Sequence, residues 1–153
     1  MKYTGIRDVP YDTPSRIMQP HIARYQFTTQ IIQQADVVMD IACGTGYGVS
    51  ILKSAGYDEI YGVDLDHSAV KFAADHNLNL KGTAFIQANG SILPFRNHSF
   101  DLITCFETFE HLIDSKRFLN ELYRVLKPSG KLIISVPNAP LWAPFSAPPD
   151  LTV

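Results

Sequence analysis

The residues with the clearest chemical potential are three glycines on alternate positions, which follow a short apolar run ending in an acid. The run is Val37-Val38-Met39, the acid is Asp40, and the glycines are Gly44, Gly46 and Gly48. Such a run is typical of a buried parallel strand. Glycines after it let the chain turn sharply and let backbone N–H groups approach a ligand. A strand, a glycine-rich turn and a helix predict a nucleotide-type pocket at the carboxyl end of the strand.

The spacing of the glycines indicates which nucleotide would bind. Pyrophosphate-binding turns have the pattern G-x-G-x-x-G and use the N terminus of the next helix. This chain has G-x-G-x-G, with Asp40 four residues ahead of Gly44. An acid at the mouth of the turn suits a ligand that is positively charged and has no phosphate. S-adenosylmethionine, with its sulfonium and ammonium groups, is such a ligand, and the alternative is a tight turn that binds nothing.

A second acid follows the next predicted strand. Asp64 ends the segment Glu59-Ile60-Tyr61-Gly62-Val63-Asp64, and Leu65 and Asp66 come after it. An acid about 20 residues beyond a glycine-rich turn is placed to accept both hydroxyls of a ribose. We therefore assign the ribose to Asp64 and expect Leu65 to lie against the adenine face. Asp66 is expected to cap the following helix.

The remaining pattern alternates strands with helices. Predicted strands cover residues 37–41, 60–63, 84–87, 102–105 and 132–136. Predicted helices cover residues 21–34, 47–55, 67–77 and 115–125, and residues 127–130 form a turn. This alternation predicts an α/β fold with a doubly wound, mostly parallel sheet.

Several segments, in this order, resemble those of the class I S-adenosylmethionine-dependent methyltransferases, in particular the type 11-like methyltransferase domain. The segments begin at Asp40-x-Ala42-Cys43-Gly44-Thr45-Gly46-Tyr47-Gly48 and at Gly62-Val63-Asp64, and continue at residues 93–95, 99–103 and 125–132. The resemblance implies a Rossmann-like fold and transfer of a methyl group from S-adenosyl-L-methionine to a small-molecule acceptor. The acceptor would be a hydroxyl of a sugar, of a quinone-like compound or of another metabolite, and S-adenosyl-L-homocysteine would be the product.

The resemblance also implies which residues contact the cofactor. They are the residues of the turn and of the loops after the second, third and fourth strands: Asp40, Ala42, Gly44, Gly46, Asp64, Leu65, Asn89, Gly90, Ser91 and Phe106. Asn89 stands where the family commonly has Asp. Its amide oxygen can still accept the adenine amino proton.

Acid–base groups follow the fourth predicted strand, in the segment Glu107-Thr108-Phe109-Glu110-His111. The segment resembles the Glu-x-x-Glu-His of quinone-biosynthesis and small-RNA methyltransferases, where it can hold a divalent cation. No histidine follows His111 to complete such a metal site, so we expect no metal. His111 is then a candidate general base and Glu107 a second catalytic candidate, and orientation of the loop by hydrogen bonds is the alternative.

The domain prediction is a single methyltransferase domain over residues 1–153. Residues 1–20 form an N-terminal loop segment, residues 21–138 the cofactor-binding core, and residues 139–153 a proline-rich tail. Family members have seven strands, but proline is excluded from sheet interiors, so no sixth and seventh strands are expected in this tail. The fold is thus expected to be C-terminally truncated, as a fragment or a natural truncation. Strand five would be an apolar edge, covered by a homodimer partner or by the tail.

Composition excludes several other classes. The net charge is −2 with 18% charged residues, so the composition shows no excess of positive charge of the kind that binds nucleic acid. The chain contains neither an apolar run near the roughly 20 residues of a membrane span nor a recognisable signal peptide. Cys43 and Cys105 are expected to be free thiols, so a cytoplasmic location is predicted. Two alternative functions remain: a non-catalytic methyltransferase-like module that acts through a partner, and an NAD-dependent oxidoreductase, which the glycine spacing disfavours.

Overall fold

The computed structural model of the chain describes residues 18–32 and 35–138. Four helices, one 3₁₀ turn and five strands follow each other in these residues. In chain order they are α1 (Met18–Ile31), β1 (Val37–Ile41), α2 (Tyr47–Ser54), β2 (Glu59–Asp64), α3 (His67–His76), β3 (Thr83–Gln87), β4 (Phe100–Phe106), the 3₁₀ turn (Phe109–His111), α4 (Ser115–Val125) and β5 (Leu126–Ser135). The predicted N-terminal loop before Met18, the proline-rich tail 139–153 and the last two residues of the first predicted helix, 33–34, lie outside the described residues.

The five strands form one parallel sheet in the order β3-β2-β1-β4-β5. The predicted parallel, Rossmann-like sheet is thereby confirmed. The chain leaves β1 on one side for β2 and β3, then crosses back to place β4 on the other side of β1. A crevice forms outside the carboxyl ends of the strands where the order reverses in this way, and ligands of open α/β sheets bind there. The glycine-rich turn follows β1 and Glu107 follows β4, so both lie at this switch point.

Two apolar clusters cover the two faces of the sheet. Alternate residues of β1 point to opposite faces because a strand has a side-chain period of two. Met39 and Ile41 pack with Phe118, Leu122 and other buried residues on the α4 face. On the other face, Val38 packs with residues of α1, α2 and β2, namely Tyr25, Val49, Leu52 and Ile60. The central strand is thus buried on both sides, which explains its continuous apolar sequence.

Most element bounds shift by one or two residues from the predictions, and two elements start further away. Helix α1 is described from Met18, three residues ahead of the predicted start at His21, and it includes Pro20. Strand β5 begins at Leu126, although residues 127–130 were predicted to be a turn. Its pairing with β4 jumps from Phe100 opposite Leu126 to Leu102 opposite Lys131, so residues 127–130 are an insertion in the ladder. Regular pairing resumes at Lys131 and continues to Ser135.

Strand β5 lies at one edge of the sheet formed by the described residues. Ile134 is 38% exposed, and Val136, just beyond the strand, is 53% exposed. Cover of this edge by a second chain or by the tail stays a prediction, since residues 139–153 are outside the described part. None of the helices in the described ranges has the length and apolar character that a membrane span requires.

Candidate active site

The glycine-rich turn after β1 uses positive backbone φ angles at three positions. Ala42 has φ 60°, Gly44 has φ 54° and Gly46 has φ 81°. A side chain at Gly46 would collide with the Phe85 ring and with Ala73, because a Cβ there would lie 2.8 Å and 2.9 Å from their atoms. By contrast, a Cβ at Gly44 would have no atom within 4 Å. Gly46 is therefore required for packing, whereas Gly44 faces open space.

Asp64 is tied to the turn by a backbone hydrogen bond. The Gly44 N–H donates to Asp64 Oδ2 at 2.8 Å, and the Asp66 N–H donates to Oδ1 at 2.9 Å. These two bonds fix the carboxylate at the carboxyl end of β2 beside the turn. Leu65, the next residue, is 67% exposed. Asp66 accepts hydrogen bonds from the Ser68 and Ala69 N–H groups at the start of α3, so the predicted helix cap is confirmed.

Asp40 lies beneath the turn with its carboxylate buried. The Tyr25 hydroxyl donates to both carboxylate oxygens at 3.1 Å, and the Thr104 hydroxyl donates to Oδ1 at 2.7 Å. The pKa of Asp40 is raised to about 7. Burial is the largest cause of the increase and the charge of Asp64 adds to it, while the hydrogen bonds from Thr104 and Tyr25 partly oppose it. The sequence predicted an acid at the mouth of the turn. In the structure, Tyr25 of α1 covers this acid.

The loop after β3 contains the predicted adenine contacts. Asn89 Oδ1 accepts the Ser91 N–H at 2.9 Å, and Asn89 forms an isolated antiparallel bridge with Ile92. Gly90 packs so closely on the Phe118 ring that a side chain there would overlap it. The loop is thus a tight turn seated on α4. Ile92 is 61% exposed, which leaves a second aliphatic side chain besides Leu65 available at this end of the sheet.

Sequence reasoning missed a charged pair on α4 that holds the continuation of this loop. Arg124 donates to the backbone oxygens of Phe95 at 2.8 Å and of Leu93 at 3.2 Å, and to Asn97 Oδ1 at 2.8 Å. It also pairs with Glu121 at 2.7 Å, and Glu121 Oε1 accepts the Leu93 N–H at 2.6 Å. The i, i+3 spacing of these two residues on a helix was the available signal.

The residues after β4 contact α1 and the end of β5. The rings of Phe106 and Tyr25 are 4.9 Å apart, in an edge-to-face arrangement. Glu107 has φ 49°, a left-handed conformation that residues other than glycine rarely adopt. Its Oε1 accepts from Ser135 Oγ at 3.0 Å and forms an ion pair with Arg24 Nη2 at 3.0 Å. The carboxylate of Glu107 is therefore held between α1 and β5.

Glu110 and His111 lie in the short 3₁₀ turn and not on a regular helix face shared with Glu107. His111 Nε2 is 3.9 Å from Glu110 Oε1, and the His111 side chain is 60% exposed. Within residues 18–32 and 35–138, no three His, Cys, Asp or Glu side chains form a group that could hold a metal ion. The structure thus brings Glu107 to Arg24 and Ser135, and leaves His111 at the surface.

Helix α1 supplies further contacts to this end of the sheet. His21 Nδ1 is 3.3 Å from the Tyr47 hydroxyl, and the Tyr25 and Tyr47 rings are 5.6 Å apart. Burial raises the pKa of Tyr47, as does the charge of Asp40, while the charge of Arg24 lowers it. Arg24 and the two tyrosines therefore lie close together beside the start of α2. The sequence predicted this helix, but not that its residues contact Asp40 and Glu107.

Several known proteins are similar to this chain in sequence. A Mycobacterium tuberculosis protein named "Probable S-adenosylmethionine-dependent methyltransferase Rv3030" is 32% identical over 142 residues, covering 92% of this chain and 50% of its own length. A Mycobacterium leprae phthiotriol/phenolphthiotriol dimycocerosates methyltransferase is 34% identical over 123 residues, covering 79% of this chain and 44% of its own. The chain spans about half the length of the curated relatives it matches.

A solved structure and a protein family complete the comparison. The PH0226 protein from Pyrococcus horikoshii superposes with a TM-score of 0.71 at 26% identity, covering 78% of this chain and 58% of that one. The methyltransferase domain family matches residues 39–134, from β1 to β5. This match contains the glycine-rich turn, Asp64, the loop after β3 and the residues after β4. The chain therefore belongs to the methyltransferase domain family of class I S-adenosylmethionine-dependent methyltransferases.

Proposed function

We propose that this chain binds S-adenosylmethionine at the carboxyl ends of β1, β2 and β3 and transfers its methyl group to a small-molecule acceptor. The observation that carries the proposal is the 2.8 Å hydrogen bond from the Gly44 N–H to Asp64 Oδ2. This bond joins the glycine-rich turn to the acid that ends β2 and makes them one binding surface. The two motifs that the sequence predicted for a single nucleoside are thereby adjacent.

The residues present fit the cofactor. Gly44 faces open space, so a ligand can approach the backbone of the turn. Asp64 accepts the Gly44 and Asp66 N–H groups on its two carboxylate oxygens, and a carboxylate is the acceptor that ribose hydroxyls require. Leu65 and Ile92 are exposed aliphatic side chains, one after β2 and one after β3, and both suit the faces of an adenine. Asn89 is the proposed polar contact to the adenine edge.

The bound cofactor would supply a methyl group activated by a positively charged sulfur. The chain's own part is to align the acceptor with that methyl group and to keep water away, which can contribute several kcal/mol through proximity. Tyr25 and the rest of α1 cover the buried Asp40 side of the site. His111, exposed after β4, is the proposed group that takes up the acceptor proton.

The acceptor class is a further part of the proposal. The M. leprae relative is named as a methyltransferase of phthiotriol/phenolphthiotriol dimycocerosates, which supports a small-molecule acceptor for this chain. We favour a hydroxyl group, as on a sugar or a quinone-like compound. A cytoplasmic location and a homodimer through the β5 edge are proposed with it. The two described cysteines are buried and free, as expected in a reducing compartment.

Calorimetric titration of the purified chain tests the cofactor first. We expect micromolar binding of S-adenosylhomocysteine and no binding of NAD. Binding of NAD alone would favour the oxidoreductase alternative and contradict the proposal. A turnover assay with a panel of hydroxyl acceptors then tests transfer. Cofactor binding without turnover of any acceptor would support the alternative of a non-catalytic module.

A further inference from the structure

Gln87 ends β3 beside Asp64 and Leu65, the two residues to which the proposed function assigns the ribose and one face of the adenine. Gln87 lies opposite Asp64 in the β2–β3 ladder, and the Ala88 N–H donates to the Asp64 carbonyl at 2.9 Å. The ends of the two strands are therefore joined by backbone pairing. Strand β2 ends at Asp64, so the position of Leu65 depends on other contacts.

The side-chain amide of Gln87 reaches the loop between β2 and α3. Its Nε2 donates to the Leu65 carbonyl oxygen at 3.2 Å, and its Oε1 lies 3.2 Å from His67 Nδ1. Because an amide oxygen only accepts, the second contact requires a proton on Nδ1 of the imidazole. One side chain of β3 thus contacts both the first residue after β2 and the first residue of α3.

The Leu65–Asp66 peptide group is held at both of its polar ends. Its N–H, which belongs to Asp66, donates to Asp64 Oδ1 at 2.9 Å. Its C=O, which belongs to Leu65, accepts from Gln87 Nε2. The Leu65 side chain is 67% exposed, so packing contributes little to its placement. The orientation of this peptide group therefore determines where the Leu65 side chain lies.

We infer that Gln87 is a positioning residue for the nucleoside part of the ligand and acts through the Leu65–Asp66 peptide group. This inference rests on the proposed function. A peptide group is planar, so a donor that holds its C=O also fixes the direction of its N–H. That N–H holds the Asp64 carboxylate, and the same peptide group is attached to the Leu65 Cα. Gln87 thus sets the ribose acceptor and the adenine contact together.

Replacing Gln87 by methionine removes both polar contacts and keeps an unbranched side chain of similar length. In calorimetry we expect the dissociation constants of S-adenosylhomocysteine and 5′-methylthioadenosine to rise by the same factor, about threefold to tenfold, as for loss of a neutral hydrogen bond. The factor is shared because the two ligands have the same nucleoside. Gln30→Met, at an exposed position of α1, is the matched control and should change neither affinity.

A double-mutant cycle with Leu65→Ala separates positioning from a purely structural role. If Gln87 places the Leu65 side chain, the affinity lost to Gln87→Met should be at most half as large a factor in the Leu65→Ala background. The fall in melting temperature caused by Gln87→Met should be the same in both backgrounds, because the exposed Leu65 side chain packs little. A structural role alone would lower the melting temperature without this coupling in affinity.

Three results would overturn the inference: unchanged affinity in Gln87→Met, a loss confined to S-adenosylhomocysteine, or an equal loss of affinity in both backgrounds. If thermal melting shows that Gln87→Met does not fold, Gln87→Glu takes its place and is judged by the same outcomes. Glutamate keeps an acceptor for His67 but has no donor for the Leu65 carbonyl. Failure of the wild-type chain to bind either ligand would instead overturn the proposed function.

Discussion

Replacing Gly44 by alanine should separate ligand approach from folding. The Gly44 backbone is left-handed, with φ 54°, and a Cβ there would meet no atom within 4 Å. The cost to folding is therefore only that of a left-handed alanine, about 1–2 kcal/mol. For a domain of this size we expect the melting temperature to fall by roughly 2–8 °C. Because the open space beside Gly44 is the proposed path of the ligand, S-adenosylhomocysteine affinity should fall at least about tenfold, the equivalent of 1.4 kcal/mol.

Gly56→Ala is the matched control for this substitution. Gly56 also has a positive φ, 97°, and open space around a built Cβ, but it precedes β2 at the opposite end of the sheet. Its replacement should lower the melting temperature by a similar or larger amount and leave the affinity unchanged. Calorimetry gives the S-adenosylhomocysteine affinity of both variants, and thermal melting gives their stability. Wild-type affinity in Gly44→Ala, or an equal loss of affinity in Gly56→Ala, would refute the assignment of the ligand to this turn.

Gly46→Ala completes the comparison, because it adds a steric cost to the same backbone cost. A Cβ would lie 2.8 Å from the Phe85 ring and 2.9 Å from the Ala73 Cβ. Overpacking of this kind costs about 1–3 kcal/mol beyond the left-handed backbone. The melting temperature should therefore fall further than in Gly44→Ala. Similar stability of the two variants would mean that the turn relaxes and that the packing argument is wrong.

Four further predictions concern the ribose contact of Asp64, the buried acid Asp40, the Arg124–Glu121 pair on α4 and the β5 edge of the sheet. Asp64→Ala should weaken S-adenosylhomocysteine binding by about 1.5–3 kcal/mol in calorimetry, and unchanged affinity would exclude our placement of the ribose. The pKa of Asp40 is raised from 3.8 to about 7, so its contribution to stability is complete below about pH 4 and is lost as the pH rises to about 7. Melting curves across this pH range should show that decline in wild type, relative to Asp40→Asn, and parallel profiles would contradict it. Arg124→Met should reduce the free energy of unfolding by about 1–3 kcal/mol in urea titrations, because it removes the bonds to the loop after β3; an unchanged midpoint would mean that the loop is held elsewhere. Light scattering on the chain with and without residues 139–153 should show greater self-association of the shortened chain, since β5 is an apolar edge, and a monomer would refute this.

The strands and helices of this protein were predictable because their signals are local. The apolar run of β1, the acids near the ends of β1 and β2, and the Asp66 cap each depend on a few neighbouring residues. All five strands occur where the sequence predicted them, with bounds that shift by a few residues. Strand β5 differs most, since the start of its ladder depends on Phe100 opposite Leu126, a pairing between distant segments. Local turn chemistry at residues 127–130 carries no information about that pairing.

The site shows the same division between local and distant contacts. Residue types and spacing by themselves determined the fold class, the glycine-rich turn and the acid at the end of β2, because periodicity and turn chemistry are properties of short segments. Only the tertiary structure decided that Tyr25 covers Asp40, that Arg24 pairs with Glu107 and that Gly90 packs on Phe118. Each of these contacts joins elements far apart in the chain, and their energies depend on burial that no short segment reveals. The spacing of the sequence placed Asp40 at the mouth of the glycine-rich turn. In the structure Asp40 is buried, and this burial raises the pKa of its carboxyl group.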